Sequence, residues 1–205
     1  PELSVAATKS YLCSLSAILH IAARWRGDAL LLDALFALPD ALRAGWTQDW
    51  SPLVEGLAGS RNLFVIGRGF GFGAALEAAL KLKETCGLHA EAFSSAEVRH
   101  GPMAIVGRDF PVLFFAQRDD TWDGTLPLAR EFRSRGAQVW VASPGADAAP
   151  SGIVESPHAA SPPLHTIQLF YGSANTTSAP RSTHAGGPPP RSQQRDTSGA
   201  LRPRA

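Results

Sequence analysis

The sequence of 205 residues holds only two cysteines, Cys13 and Cys86, and both lie inside apolar stretches. They make neither a disulfide framework nor a metal-ligand spacing. The expectation is therefore a reducing, cytoplasmic setting rather than a small secreted scaffold or a zinc module. Long hydrophobic runs are also missing, since nothing approaches the roughly 20 apolar residues of a membrane span. The opening Pro1-Glu2-Leu3 lacks a methionine and the basic and apolar regions of a signal peptide, and reads as a processed terminus or as the continuation of something longer. Clustered positive charge is absent from the body. Of 19 Lys and Arg and 18 Asp and Glu, five cations (Arg181, Arg191, Arg195, Arg202, Arg204) and one acid (Asp196) follow residue 179, which leaves 14 cations against 17 acids before it. A mildly acidic body argues against nucleic acid as the main ligand, because phosphate neutralisation needs clustered Lys and Arg.

What is present divides into three parts. From Leu3 to Arg26, Val5, Leu12, Leu15, Ile18, Leu19 and Ala22 recur at helical spacing up to Gly27. A second helix is expected over Asp28 to Leu38 and a third over Pro39 to Ala44, with Pro39 in a first turn. Short apolar runs then alternate with helical stretches. Strands are expected at 62–66, 90–93, 111–116 and 137–142, and helices at 73–87 and 124–135, with a helical turn near Ser95 to Arg99. Alternation of this kind implies an α/β fold with a parallel sheet covered on both faces. Leu164 to Asn175 suits one more helix. From Pro180 on, five prolines, five arginines and three glycines occupy 26 residues with almost nothing apolar, a composition expected to stay disordered and solvated.

Three stretches carry groups suited to chemistry. The glycine run Gly67-Arg68-Gly69-Phe70-Gly71-Phe72-Gly73 lies at a strand-to-helix turn, where backbone amides favour anions. It fails the dinucleotide fingerprint, since Phe72 stands where the third glycine belongs, and no Gly-Lys-Ser/Thr follows; close chain packing is the alternative. Glu77, Lys81 and Glu84 share one helical face through spacings of four and three. They read either as an exposed polar stripe or as a functional cluster. Ser94-Ser95-Ala96-Glu97-Val98-Arg99-His100-Gly101-Pro102 gathers hydroxyls, a carboxylate, a guanidinium and an imidazole before a Gly-Pro turn. His100 there suits proton exchange near neutral pH, and a local hydrogen-bonding cluster is the alternative.

The stretch Ala75 to Val106, with Ala-Leu-Glu-Ala-Ala-Leu-Lys-Leu-Lys-Glu, His89-Ala-Glu-Ala-Phe and Ala96-Glu-Val-Arg-His-Gly-Pro-Met-Ala, resembles the second sugar isomerase (SIS) domain of amino-sugar-phosphate enzymes. Pro1 to Tyr11 is similar to the closing segment of the first SIS domain in the same proteins. Two relatives share this layout: SIS-type glucosamine-6-phosphate deaminase, which the Ser-Ser-Ala-Glu-Val-Arg-His-Gly-Pro-Met version resembles more, and the isomerase half of glutamine:fructose-6-phosphate aminotransferase.

The resemblance, over roughly residues 1 to 175, implies a three-layer, flavodoxin-like or Rossmann-like SIS domain at 59–179. Ahead of it, 1–58 would be a helical remnant of a first SIS domain, and 180–205 a disordered tail. It implies that Glu84 shuttles a proton between C1 and C2 of an open-chain sugar, with Lys81 near the reacting carbons. It further implies that His100 opens the ring from a neighbouring subunit of a homodimer, and that Val5, Ala6, Ala7 and Thr8 line the sugar pocket. The substrate it implies is a sugar phosphate, and it calls for neither cofactor nor metal. A non-catalytic sugar-phosphate-sensing module is the rival from another class. The family's Ser/Thr-rich phosphate loop precedes the segment matched by Pro1 to Tyr11, so the isolated chain is expected to bind substrate weakly and to be inactive. Apolar side chains of the first helix, left without the first domain's sheet, are expected at the surface.

Overall fold

The computed structural model describes residues 3, 6–47, 49–144 and 153–156. Val5, the helix expected at 164–175 and the Pro/Arg tail lie outside the described residues. Three helices come first: α1 (Thr8–Arg26), α2 (Ala29–Trp46) and α3 (Ser51–Gly56). The alternating part follows as β1 (Asn62–Gly67), α4 (Phe70–Cys86), β2 (His89–Ser94), two 3-10 turns at Val98–His100 and Pro102–Ile105, β3 (Pro111–Phe115), α5 (Trp122–Ser134), β4 (Gln138–Pro144) and β5 (Ile153–Ser156). All strands are parallel, in the order β2-β1-β3-β4-β5.

The strands are almost wholly apolar because both sheet faces are covered. Alternate side chains enter two separate cores. Leu63, Val65, Leu113, Phe115, Trp140 and Ala142 face one, with Ala74, Ala75, Ala78, Ala79 and Leu82 of α4 and with Leu12, Leu35, Leu38 and Leu53 of the three leading helices. Phe64, Ile66, Val112, Phe114, Val139 and Val141 face the other, with Leu128, Ala129 and Phe132 of α5 and with Val98 and Met103 of the 3-10 turns. This is the expected three-layer α/β architecture. The leading helices share the α4 core, although Ile18, Ile21 and Trp25 of α1 are 62%, 67% and 89% exposed, as anticipated for that helix.

Elements α3 and β5 were not expected from the sequence, and boundaries differ chiefly in three places. Helix α1 begins at Thr8 rather than Leu3, after a tight turn in which the Thr8 amide and hydroxyl both donate to the Ala6 carbonyl. Helices expected at 28–38 and 39–44 are one helix, α2, with Pro39 inside it. An interior proline costs about 3 kcal/mol. Buried Leu35 and Leu38 ahead of Pro39 and partly buried Leu42 beyond it pack on one core, so the helix is held on both sides of the proline. Asp28 starts the helix by accepting the Leu31 amide at 2.9 Å.

Helix α4 starts at Phe70 instead of Gly73, since glycines let the chain turn directly from strand into helix. A Cβ on Gly67 would strike the carbonyl of Gly71, and one on Gly71 would strike the side-chain amide of Gln117. Close packing is thus the main use of the glycine run. Gly67→Ala is expected to destabilise the fold by about 1–3 kcal/mol, read as a lower urea midpoint; an unchanged midpoint would show that the turn relaxes without cost.

Candidate active site

Helix α4 lies against the sheet through a stripe of alanines, which bring its axis close to the strands and draw in the neighbouring positions. Lys81 is consequently buried, only 4% exposed, so the expected exposed polar stripe is overturned. Its ammonium donates to Glu84 Oε2 at 2.7 Å and lies 3.2 Å from Glu77 Oε1. The Glu77 and Glu84 side chains are 16% and 25% exposed, so Glu84 is the more open to an incoming molecule. Burial opposes the charge on Lys81, but hydrogen bonds and Coulomb attraction from Glu84 and Glu77 outweigh it and hold the ammonium above the ordinary lysine pKa. The cluster is thus one cation between two carboxylates, with a carboxylate in excess on its solvent side.

A residue that sequence reasoning did not single out joins this cluster from α1. The Tyr11 hydroxyl donates to the Gly73 carbonyl at 3.3 Å, one helical turn ahead of Glu77. Burial, and secondarily the nearby Glu77 charge, push its phenol up to about 12. Tyr11 ties the α1 turn that follows Ala6, Ala7 and Thr8 to α4, and its amide is held by the Ala7 carbonyl at 3.1 Å. Glu77 was visible in the stripe only as a pairing partner for Lys81.

His100 is elsewhere. It ends the first 3-10 turn, with its amide bonded to the Glu97 carbonyl at 2.8 Å and its side chain exposed. Buried Val98 and Met103 on either side of it enter the α5 core, whereas the alanines of α4 enter the opposite one. Among the described residues no hydrogen bond or ion pair joins His100 to Lys81 or Glu84. The hydroxyls of the same stretch serve locally: Ser95 Oγ lies 3.4 Å from Thr125 Oγ1, and Ser94 Oγ accepts the Ala96 amide.

The turn around Gly69 is poorly suited to an anion. Asp119 Oδ2 lies 3.6 Å from where a Cβ on Gly69 would stand, and the other oxygen of that carboxylate accepts the Thr121 amide and hydroxyl. Among the described residues no group of three or more His, Cys, Asp or Glu could hold a metal ion, and no helix is long and apolar enough to cross a membrane.

The two groups with raised pKa bind protons more tightly folded than unfolded. Their contribution is therefore complete below about pH 10 and is lost as pH rises through the folded values. Unfolding free energy should fall between pH 10 and 12, and less steeply in Tyr11→Phe, which should also remove the phenolate absorbance step near 12. A Tyr11 titration at 10 would contradict the burial of the phenol. Lys81→Met should cost about 3 kcal/mol, because it leaves two carboxylates facing each other on a packed helix; denaturant titration reads this directly.

Comparison with known proteins adds to this geometry. Residues 56–143 match the SIS domain. The glutamine–fructose-6-phosphate aminotransferase (isomerizing) of Rhizobium leguminosarum bv. viciae is 31% identical over 182 residues, covering 82% of this chain and 28% of the relative. A structure from Silicibacter pomeroyi DSS-3 classed with the phosphosugar isomerases superposes with a TM-score of 0.75 at 40% identity, covering 87% of this chain and 55% of that one. Glucosamine-6-phosphate deaminase from Thermotoga maritima shares the fold, with a TM-score of 0.59 at 24% identity over 83% of this chain and 50% of that one. The chain therefore spans under a third of that aminotransferase and about half of the two structures. By its matched domain, its parallel α/β architecture and its likeness to the phosphosugar isomerase structure, the chain belongs to the SIS domain family.

Proposed function

We propose that this chain supplies the proton-transfer half of an amino-sugar-phosphate site, converting glucosamine 6-phosphate to fructose 6-phosphate and ammonia. The observation that carries the reading is the buried ammonium of Lys81 held between Glu77 and Glu84. Moving a proton between adjacent sugar carbons requires a carboxylate beside an acidic C–H, and a fixed cation for the negative charge that develops on the neighbouring oxygen or nitrogen. Glu84, the more open carboxylate, takes the proton from C2 of the open-chain amino sugar and returns it at C1. Lys81 faces the developing charge, and Glu77 keeps that lysine protonated when Glu84 is neutralised. Water then hydrolyses the resulting C2 imine, leaving the ketose phosphate and ammonia. Tyr11 holds Ala6 to Thr8 against this helix as a wall of the sugar pocket.

His100 opens the sugar ring from a second copy of the chain. Its attachment to the opposite sheet face from α4 supports a role across a dimer, because among the described residues no hydrogen bond or ion pair joins it to Glu84. A reducing cytoplasmic setting suits such an enzyme and its two cysteines, Cys13 and Cys86. A second reading, the isomerase part of a glutamine-dependent aminotransferase, is favoured by the 31% identity to the Rhizobium enzyme and uses the same residues in the synthetic direction.

The phosphate is the part for which the described residues offer least, given the carboxylate beside Gly69. The 205-residue chain on its own is expected to bind glucosamine 6-phosphate weakly and to release no ammonia, as isothermal titration and an ammonia assay would show. Micromolar binding or turnover would overturn this view of the phosphate. In a two-domain relative carrying the same motifs, replacing the glutamate matching Glu84 by Gln should lower kcat by ~10² with little change in substrate binding. A near-normal rate would make Glu84 a merely structural carboxylate. Replacing the histidine matching His100 by Asn should slow the cyclic sugar more than an open-chain analogue; equal losses would remove its ring-opening role.

A further inference from the structure

The His100 turn is held to α5 by a ring of charged groups. Arg99, the residue before His100, places its guanidinium 3.2 Å from Glu131 Oε2. The other oxygen, Glu131 Oε1, lies 3.2 Å from the Arg135 guanidinium, whose second nitrogen donates to the Met103 carbonyl at 3.4 Å. One carboxylate thus joins, through two arginines, the two sides of the segment 99–103. Between those anchor points lie exposed His100 and Gly101, the latter at φ 151° in the region open chiefly to glycine.

Val98 and Met103 fix the depth of the segment by burial. Apolar side chains resist sliding poorly, however, because hydrophobic contact is non-directional. Charge-assisted hydrogen bonds are directional. Glu131 is the single member shared by both arginines, so its loss frees the Arg99 end of the turn and removes the carboxylate that orients Arg135 toward the Met103 carbonyl.

We propose that Glu131 is a positioning residue for His100: it clamps the 99–103 segment to α5 and so sets the direction in which the imidazole projects. The functional consequence rests on the reading of His100 as the ring-opening group, whereas the clamp itself does not.

Hydrogen exchange followed by NMR on the 205-residue chain tests the clamp. Glu131→Gln should speed exchange of the His100 amide, bonded to Glu97, and of the Ala104 amide, bonded to Gly101, by about fivefold. Amides of α4 around Lys81 should be unaffected, and Arg130→Gln on the same helix serves as control. Unchanged exchange at His100 and Ala104 overturns the proposal. The positioning role is tested in a two-domain relative that carries these arginines and this glutamate. There Glu131→Gln should reproduce the kinetic pattern of His100→Asn in weaker form, about fivefold in kcat with KM unchanged, and should add nothing to it in the double variant. Additive losses overturn positioning. If His100→Asn itself proves indifferent to ring form, the ring-opening reading fails while Glu131, still copying His100→Asn, stands.

Discussion

The ammonium of Lys81 has been withdrawn from water onto a helix packed against a sheet, and it can remain charged there only because two carboxylates come with it. A lone buried charge would cost several kcal/mol and would give up its proton instead. Spacings of four and three residues supply both partners from one helix, so no second element is needed to complete the cluster. The alanine stripe on the inner side of α4 lets the helix approach β1 and β3 closely enough to bury the lysine at all. Burial of the charged cluster thus depends on small residues that take no part in it.

The same sheet separates that cluster from the imidazole. Parallel strands covered on both faces divide the domain into two cores, with α4 on one and the 3-10 turns on the other. Lys81 and Glu84 are built into a rigid helix, whereas His100 sits on a short turn that is held by two buried side chains and a half-exposed ring of charges. On the proposed reading, a site assembled from such parts divides its tasks by stiffness. Proton transfer between adjacent carbons, the task proposed for Glu84, tolerates little misplacement, and Glu84 is the more firmly fixed of the two.

Much of the fold could be read along the chain. Apolar runs at 62–66, 111–116 and 137–142 are short, bounded by turns and separated by helical stretches, so the parallel sheet follows from period and length. Boundaries were less legible. Pro39 signals a helix start wherever only neighbours are considered, yet packing of Leu38 before it and Leu42 after it on one core carries α2 through it. The glycines at 67 and 71 mark a turn, but their purpose depends on what faces them: the carbonyl of Gly71 and the amide of Gln117, the latter from a strand end nearly fifty residues away.

Glu77, Lys81 and Glu84 were on one face by arithmetic alone, since helical periodicity is a local property of the backbone. Whether that face met water was not, because burial is decided by what packs beside a helix, and spacing cannot distinguish an ion pair on a surface from one inside. Tyr11 illustrates the same limit: 62 residues separate it from Gly73, and only the docking of α1 on α4 brings its phenol beside Glu77. The sequence by itself determined the alternating α/β order and the identity of the charged cluster, for both rest on periods of two and 3.6 residues. Only the tertiary structure decided that Lys81 is buried and that His100 stands on the other side of the sheet, for both depend on which surfaces meet.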